Sequence, residues 1–297
     1  MSTTHISRVL AAVLEPVTGQ VYFSPECHHN YEALGFSPSR GEFNGVMTPD
    51  GPAYFTSRGS VMGQVPGDVV AAAFAVFKPE VVISSVDYGW TLTDARTICA
   101  ARDHGAIGQL HRVLGESPHG AARARALLSH ATDALRPEGR ALYAGLRSLE
   151  MPGSLVGDVW RLGDMLREYR GDSHTAAWIS GGFTACEIGL LSELFWGMTI
   201  KTYSRSRGWS EADYEEAIER LATDGYITRE GALTTQGRAS REHVEKLTDV
   251  QMECVVRALG SQIDELITIL KPWGAAIRAA KGYPAAGPHD LADAASS

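Results

Sequence analysis

Apolar residues recur at helical rather than alternating spacing through most of this chain, and that pattern predicts a mainly α protein. Residues 7–34 read as one or two helices punctuated by Pro16 and Pro25. A Gly- and Pro-rich stretch follows from Gly35 to Gly67. It carries a short aromatic piece, Ala53-Tyr54-Phe55, and a turn cluster over 63–67. Asp68 is placed to cap a helix that runs to about Phe77, before Pro79 interrupts it. Thr93 or Asp94 opens another, to about Leu114. Residues 118–148 read as a helix pair broken near Pro137-Glu138-Gly139, and helices resume at about 155–168 and 172–197. Met151-Pro152-Gly153-Ser154 is the best boundary signal in the middle of the chain. The tail after Lys281 is Pro-, Gly- and small-residue-rich and is expected to be disordered. The expected layout is an N-terminal helical domain over 1–150, a second domain over 151–281 and a tail over 282–297.

The segment 205–249 has a supersecondary signature. Ser210 caps a helix, with Asp213 three residues later completing an approximate capping box. Tyr214, Ile218 and Leu221 form its apolar stripe, and Asp224-Gly225 ends it. Tyr226-Ile227-Thr228-Arg229 reads as a strand, Glu230-Gly231 as a turn, and Ala232-Leu233-Thr234-Thr235 as the returning strand. Gln236-Gly237-Arg238 opens another helix, to about Asp249. The fold class expected for the whole is therefore mainly α, an N-terminal helical domain plus a C-terminal winged helix-turn-helix with a two-stranded wing.

The stretch IERLATDGYITREGALTTQGRASRE, residues 218–242, resembles the recognition helix, wing and following helix of MarR-type winged-helix regulators. Its specific parts are L-x-x-x-G-x-I and L-T-x-x-G-R. The wider chain resembles an uncharacterised actinobacterial family of two-part helix-turn-helix proteins. The matching pieces are Glu15-Pro16, residues 21–26 (VYFSPE), residues 31–35 (YEALG), residues 54–58 (YFTSR) and residues 166–174 (LREYRGDSH). The family resemblance implies DNA binding. Where its members often carry a histidine this chain has Tyr169, so the resemblance implies no two-histidine metal site.

Charge pulls against the DNA reading. Lys and Arg number 27 against 35 Asp and Glu, a net of −8. Residues 205–246 hold seven basic and nine acidic residues, a net of −2. The recognition helix, Ser210 to Thr223, would carry Glu211, Asp213, Glu215, Glu216 and Glu219 against a single Arg220. Phosphates on both sides of a groove lie within a Debye length, ~8 Å at physiological salt, of such a helix and repel it. Arg205, Arg207, Arg229, Arg238 and Arg241 are the residues available to offset that repulsion. DNA is thus an expected but disfavoured partner.

Other classes are narrowed by absence. The longest apolar run, Val69 to Phe77, is nine residues, and a membrane span needs ~18. The N-terminus does not read as a signal peptide, and the four cysteines (27, 99, 186, 254) are far apart, so buried thiols in a reducing cytoplasm are expected. No Gly-rich phosphate loop, G-x-S-x-G or H-E-x-x-H occurs. His28 and His29 are adjacent, which on a helix sets them ~100° apart, so both are expected at the surface and not on a metal. His104 and His111 share a helix face without further ligands. No metal and no cofactor are expected.

The densest polar cluster, Arg170-Gly171-Asp172-Ser173-His174, is read as the entry to an apolar helix. Asp172 or Ser173 would cap it, and the positive helix end would favour a neutral His174. On that reading His174 is acid or base, Asp172 orients it, and Arg170 clamps an anion. Trp178 and Glu187 lie on the following helix. Tyr54, Ser57 and Arg58, on the irregular segment, would complete a ligand pocket between the two halves. Two functions follow. The first is a small-molecule-binding winged-helix protein, an enzyme with an Arg/Asp/His site in that pocket. The alternative is a ligand-responsive MarR-like DNA-binding regulator, a homodimer through helices over 250–271.

Overall fold

Polar side chains start most of the helices in this protein. Ser24, Asp50, Asp94, Ser154, Thr184, Ser210 and Thr234 each accept a hydrogen bond from the backbone N–H three residues on. The computed structural model describes residues 5–43 and 45–285. The helices before the midpoint are α1 (Ile6–Thr18), α2 (Pro25–Ala33), α3 (Gly51–Gly59), α4 (Gly67–Phe74), α5 (Pro79–Leu92), α6 (Ala95–Leu114), α7 (Ala121–Asp133) and α8 (Ala141–Ser148). Those after it are α9 (Leu155–Ser180), α10 (Ala185–Phe195), α11 (Glu211–Thr223), α12 (Thr235–Leu259) and α13 (Ile263–Ala279). A small antiparallel hairpin pairs β1 (Glu42–Phe43) with β2 (Val46–Met47), in the register Glu42 with Met47 and Phe43 with Val46.

Several elements differ from the sequence reading, each for a physical reason. Tyr54, Ser57 and Arg58 lie on helix α3, not on an irregular segment, because Asp50 caps a helix there. Asp68 lies in the first turn of α4 and does not cap it, and α4 ends at Phe74, before Pro79, which opens α5 where a missing N–H costs nothing. The helix break expected before Asp172 is absent, and α9 runs unbroken for 26 residues. Its stop lies later, where Gly182 takes φ +79° after Gly181. The two-stranded wing contracts to one antiparallel bridge, Ile227 with Leu233, closed by Thr228 N–H to Ala232 O (2.8 Å) and Thr234 N–H to Tyr226 O (3.1 Å). The rest of the expected second strand becomes the cap and first turn of α12.

Two apolar cores result. The first gathers α1 to α8, most of α9 and the end of the chain, with Trp160, Leu110, Leu128 and Leu146 fully buried. The second gathers Ala177 and Trp178 of α9, Cys186 to Leu191 of α10, Tyr214, Ala217 and Leu221 of α11, Ile227, and Val244 of α12. The change from one core to the other falls within α9, between Tyr169 and Ala177, and within α12, between Val244 and Met252. The loop expected as a boundary at 151–154 joins α8 to α9, and both of those helices serve the first core.

Met252, Val255, Leu259, Ile263, Leu266 and Leu270 point into the first core. The face of the 250–271 segment that carries these residues is therefore covered within the chain, while Val250 is exposed. The tail is also partly ordered: Tyr283 is buried, and its hydroxyl donates to Glu15 Oε1 at 3.2 Å. Residues 286–297 of the expected disordered tail lie outside the described residues. Among the described residues no helix is long and apolar enough to cross a membrane, and no group of three or more metal-ligating side chains is assembled. His28 is buried, not exposed, with Nε2 on Tyr22 O at 3.0 Å.

Candidate functional site

Helical geometry decides what the 170–174 cluster does. Successive residues of a helix are turned by ~100°, so residues four apart share a face and residues two apart do not. Arg170 and His174 accordingly face α12, while Asp172 faces α8. Arg170 Nη2 donates to Glu245 Oε2 at 2.8 Å. His174 Nδ1 lies 3.3 Å from Thr248 Oγ1 and 3.9 Å from Glu245 Oε1. Asp172 instead accepts from the backbone N–H of Tyr143 at 3.2 Å, in the first turn of α8. Its carboxyl is pushed up to about 7 by burial and by the nearby Glu168 charge, against the pull of the Tyr143 N–H, Arg58 and Arg140. His174 sits in mid-helix, not at a helix N-terminus, so the expected dipole effect does not act on it. The three expected catalytic groups do not converge.

What does converge is a set of arginines and glutamates around a cavity of about 130 Å³. Its lining is apolar at Leu10, Ala11 and Leu14 of α1, Leu166 of α9 and Met252 of α12. It is charged at Glu15, Arg58, Arg167, Glu168 and Arg170. Arg58 grips Glu168 with two parallel bonds, Nε to Oε1 at 2.9 Å and Nη2 to Oε2 at 2.7 Å. Its Nη1 donates to the Tyr54 hydroxyl at 3.3 Å, and its guanidinium stacks 4.5 Å above the Phe74 ring. Arg167 binds Glu15 in the same forked way, at 2.9 and 3.3 Å, and also reaches Glu168 at 2.8 Å. Tyr22 adds its hydroxyl 3.5 Å from Glu168 and its ring against Tyr54.

Burial alone would raise the Glu168 carboxyl, but Arg58 and Arg167 reverse this and hold it below the usual carboxylate range. A carboxylate this buried between two guanidiniums is ionised, and it fixes both arginines in place. One turn earlier on α9, fully buried Asp164 binds Arg102 at 2.7 Å and extends the charged stripe towards α6.

Of the expected ligand residues, Arg58 and Arg170 line this cavity, and Tyr54 stands behind Arg58. Ser57 is buried, with its hydroxyl on Tyr54 O at 3.3 Å. Trp178 and Glu187 belong to the second core, where Glu187 closes the α10 capping box and pairs with Arg220 at 2.5 Å. Glu15, Tyr22, Arg167 and Glu168 were missed as site residues. Their one signal was membership of the short motifs at 15–16, 21–26 and 166–174.

The arginines considered for DNA separate in the same way. Arg229 and Arg238 are exposed, and Arg205 is exposed on the turn before α11. Arg207 is stacked 4.4 Å from the Phe77 ring and bonds the Tyr203 hydroxyl. Arg241 is buried, with Nε on Ser192 Oγ at 2.9 Å and Nη1 on Glu245 at 2.8 Å. On α11, Glu211 pairs with Lys201 and Asp213 with Lys78, each at 2.5 Å, while Glu215, Glu216 and Glu219 remain exposed.

A mainly helical chain with a capped α10, a turn and a capped α11 packed on one small core has the outline of a helix-turn-helix protein. The chain belongs to a helix-turn-helix family, whose profile matches residues 7–284. No curated protein matches it, and no solved structure does.

Proposed function

We propose that this helix-turn-helix family member binds a small molecule in the cavity between α1, α9 and α12, and that its α10–α11 unit responds to that molecule. The observation that carries this reading is the sharing of helices. α9 lines the cavity at Arg170 and Gly171 and holds the second core at Ala177 and Trp178. α12 lines it at Met252 and holds the second core at Val244. A ligand that sets the spacing of α9 and α12 therefore acts on both cores, and such differential contact is what a ligand-driven change requires. The volume, about 130 Å³, approaches the ~150 Å³ that accommodates benzene in an engineered cavity. A mostly apolar lining with a few fixed polar groups is the usual composition of a ligand site. Because Arg170, Asp172 and His174 diverge, the geometry supports binding better than acid–base turnover.

The test is toluene, an uncharged probe of the right size. It is expected to bind the wild-type chain, to fail with Ala11→Phe, and to slow amide exchange over 185–223. A toluene effect confined to the cavity residues, or none at all, would remove the reading.

Family membership favours a second reading of the output, in which α11 and the 227–233 bridge serve as a MarR-like recognition helix and wing. Binding to duplex DNA, random and from the region upstream of the protein's own gene, at about 50 and 200 mM salt tests it. Salt-steep, sequence-selective binding makes the protein a regulator. No binding at the lower salt leaves α11 as scaffold, as its exposed Glu215, Glu216 and Glu219 favour.

A further inference from the structure

We infer that the ligand of this cavity carries a carboxylate, and that Arg170 is the residue that recognises it. The inference rests on the cavity being a ligand site. The three arginines that line the cavity differ in how their forks are filled. Arg58 uses its Nε and Nη2 together, as a fork, on the two oxygens of Glu168. Arg167 uses the same fork on the two oxygens of Glu15. Arg170 has the same fork half filled. Its Nη2 meets Glu245, but its Nε is buried and meets no acceptor among the described residues.

A buried guanidinium N–H without an acceptor is costly, and a planar carboxylate is the group that matches this edge. The protein already satisfies the two neighbouring arginines with carboxylates of its own. The third lines the same cavity as Leu10, Ala11, Leu14 and Met252. A small aryl or branched alkyl carboxylate suits this lining, with its body on the apolar residues and its oxygens on Arg170.

The contact would also have a consequence for the second core. Glu245 is held by Arg170 and by Arg241, each at 2.8 Å, with Arg8 at 3.9 Å. A ligand carboxylate competes with Glu245 for Arg170, and Glu245 then rests on Arg241. Arg241 in turn donates to Ser192 of α10. Ligand recognition at Arg170 is therefore two side chains away from the helix-turn-helix unit.

The experiment is calorimetric titration of the full chain with benzoate, benzamide and toluene, in wild type and in Arg170→Lys and Arg170→Met. Lysine keeps the charge but removes the fork. Benzoate is expected to bind about tenfold or more tightly than benzamide, as a charge-assisted fork requires, and to lose that advantage in both variants. Toluene affinity should stay within about twofold in Arg170→Lys, since the apolar lining that holds it is untouched; that result also confirms the variant is folded. Benzoate binding no tighter than benzamide overturns the assignment, as does an advantage that survives in Arg170→Lys. Toluene binding without a benzoate preference overturns the carboxylate alone. Failure of all three probes takes the ligand site with it.

Discussion

Around the cavity, a carboxylate finds its arginines at distant points of the chain. Glu168 holds Arg58 across 110 residues, and Glu15 holds Arg167 across 152. Over α10 and α11 long-range pairs also occur, Glu187 with Arg220 across 33 residues and Asp213 with Lys78 across 135, but they stand beside short-range bonds. Thr184 and Glu187 close one capping box, Ser210 and Asp213 another, and Lys201 meets Glu211 ten residues on. The accessibility of the partners differs too. Glu168 is 3% exposed at its side chain and Glu211 is 75%. A buried pair is desolvated, so each partner becomes indispensable to the other, whereas water already screens an exposed pair. The cavity site is thus rigid and intolerant of change, and the surface of α11 is neither.

The sharpest test of that contrast is Glu168→Gln. The variant leaves Arg58 and Arg167 facing each other across the cavity wall, with one charge fewer between them. Removing one partner of a buried pair costs about 3–5 kcal/mol, and the loss should appear as a lower urea midpoint with little change in slope. A loss under about 1 kcal/mol would mean that water reaches these arginines and that the cavity wall is not dry.

The same contrast explains how much was legible in the sequence. The Ser210 and Asp94 caps, the Ser210–Asp213 box and the α11 stripe are all local, and each stands where its spacing placed it. The motif glycines are also explained by close range. Gly225 takes φ +79° at the end of α11, and a side chain at Gly237 would put its Cβ 2.0 Å from Tyr226 O. The cavity pairs, by contrast, have no local signature. Asp172 and Ser173 are good caps by type, but nothing nearby announced that Asp172 would bind the start of α8 and leave α9 unbroken. Arg58 and Arg170 were legible as residue types suited to an anion site. That Glu168 and Glu15 would occupy two of the three arginine forks depends on tertiary packing.

Asp172 gives a comparison of intermediate size, because its contact is buried but its hydrogen-bond partner is neutral backbone. Its folded carboxyl lies at about 7, against ~3.9 for an unfolded aspartate. A raised carboxyl means the folded state binds more protons than the unfolded state between those values, so this group reduces stability as pH rises from about 4 to about 7. Asp172→Asn keeps an oxygen for the Tyr143 N–H and cannot ionise. Its stability relative to wild type should therefore climb across that window and level off above it. Denaturation of both chains at pH 4, 5.5, 7 and 8.5 measures this. A difference that is flat with pH would show that Asp172 is not held in the protonated form.

The smallest effect is expected on α11. Glu211→Gln removes the partner of Lys201, but the carboxylate stands largely in water and Lys201 keeps its place over the Tyr214 ring. An exposed pair of this kind contributes at most ~0.5 kcal/mol, and salt reduces that further. Against this stands a gain: the variant lowers the negative charge on the first turn of the helix that would enter a DNA groove. Stability should stay within measurement error of wild type, while any DNA affinity at about 50 mM salt should rise. If Glu211→Gln instead destabilises the chain as much as Glu168→Gln, then the turn over 196–210 depends on that ion pair. The two regions would then differ in sequence range but not in the way they use charge.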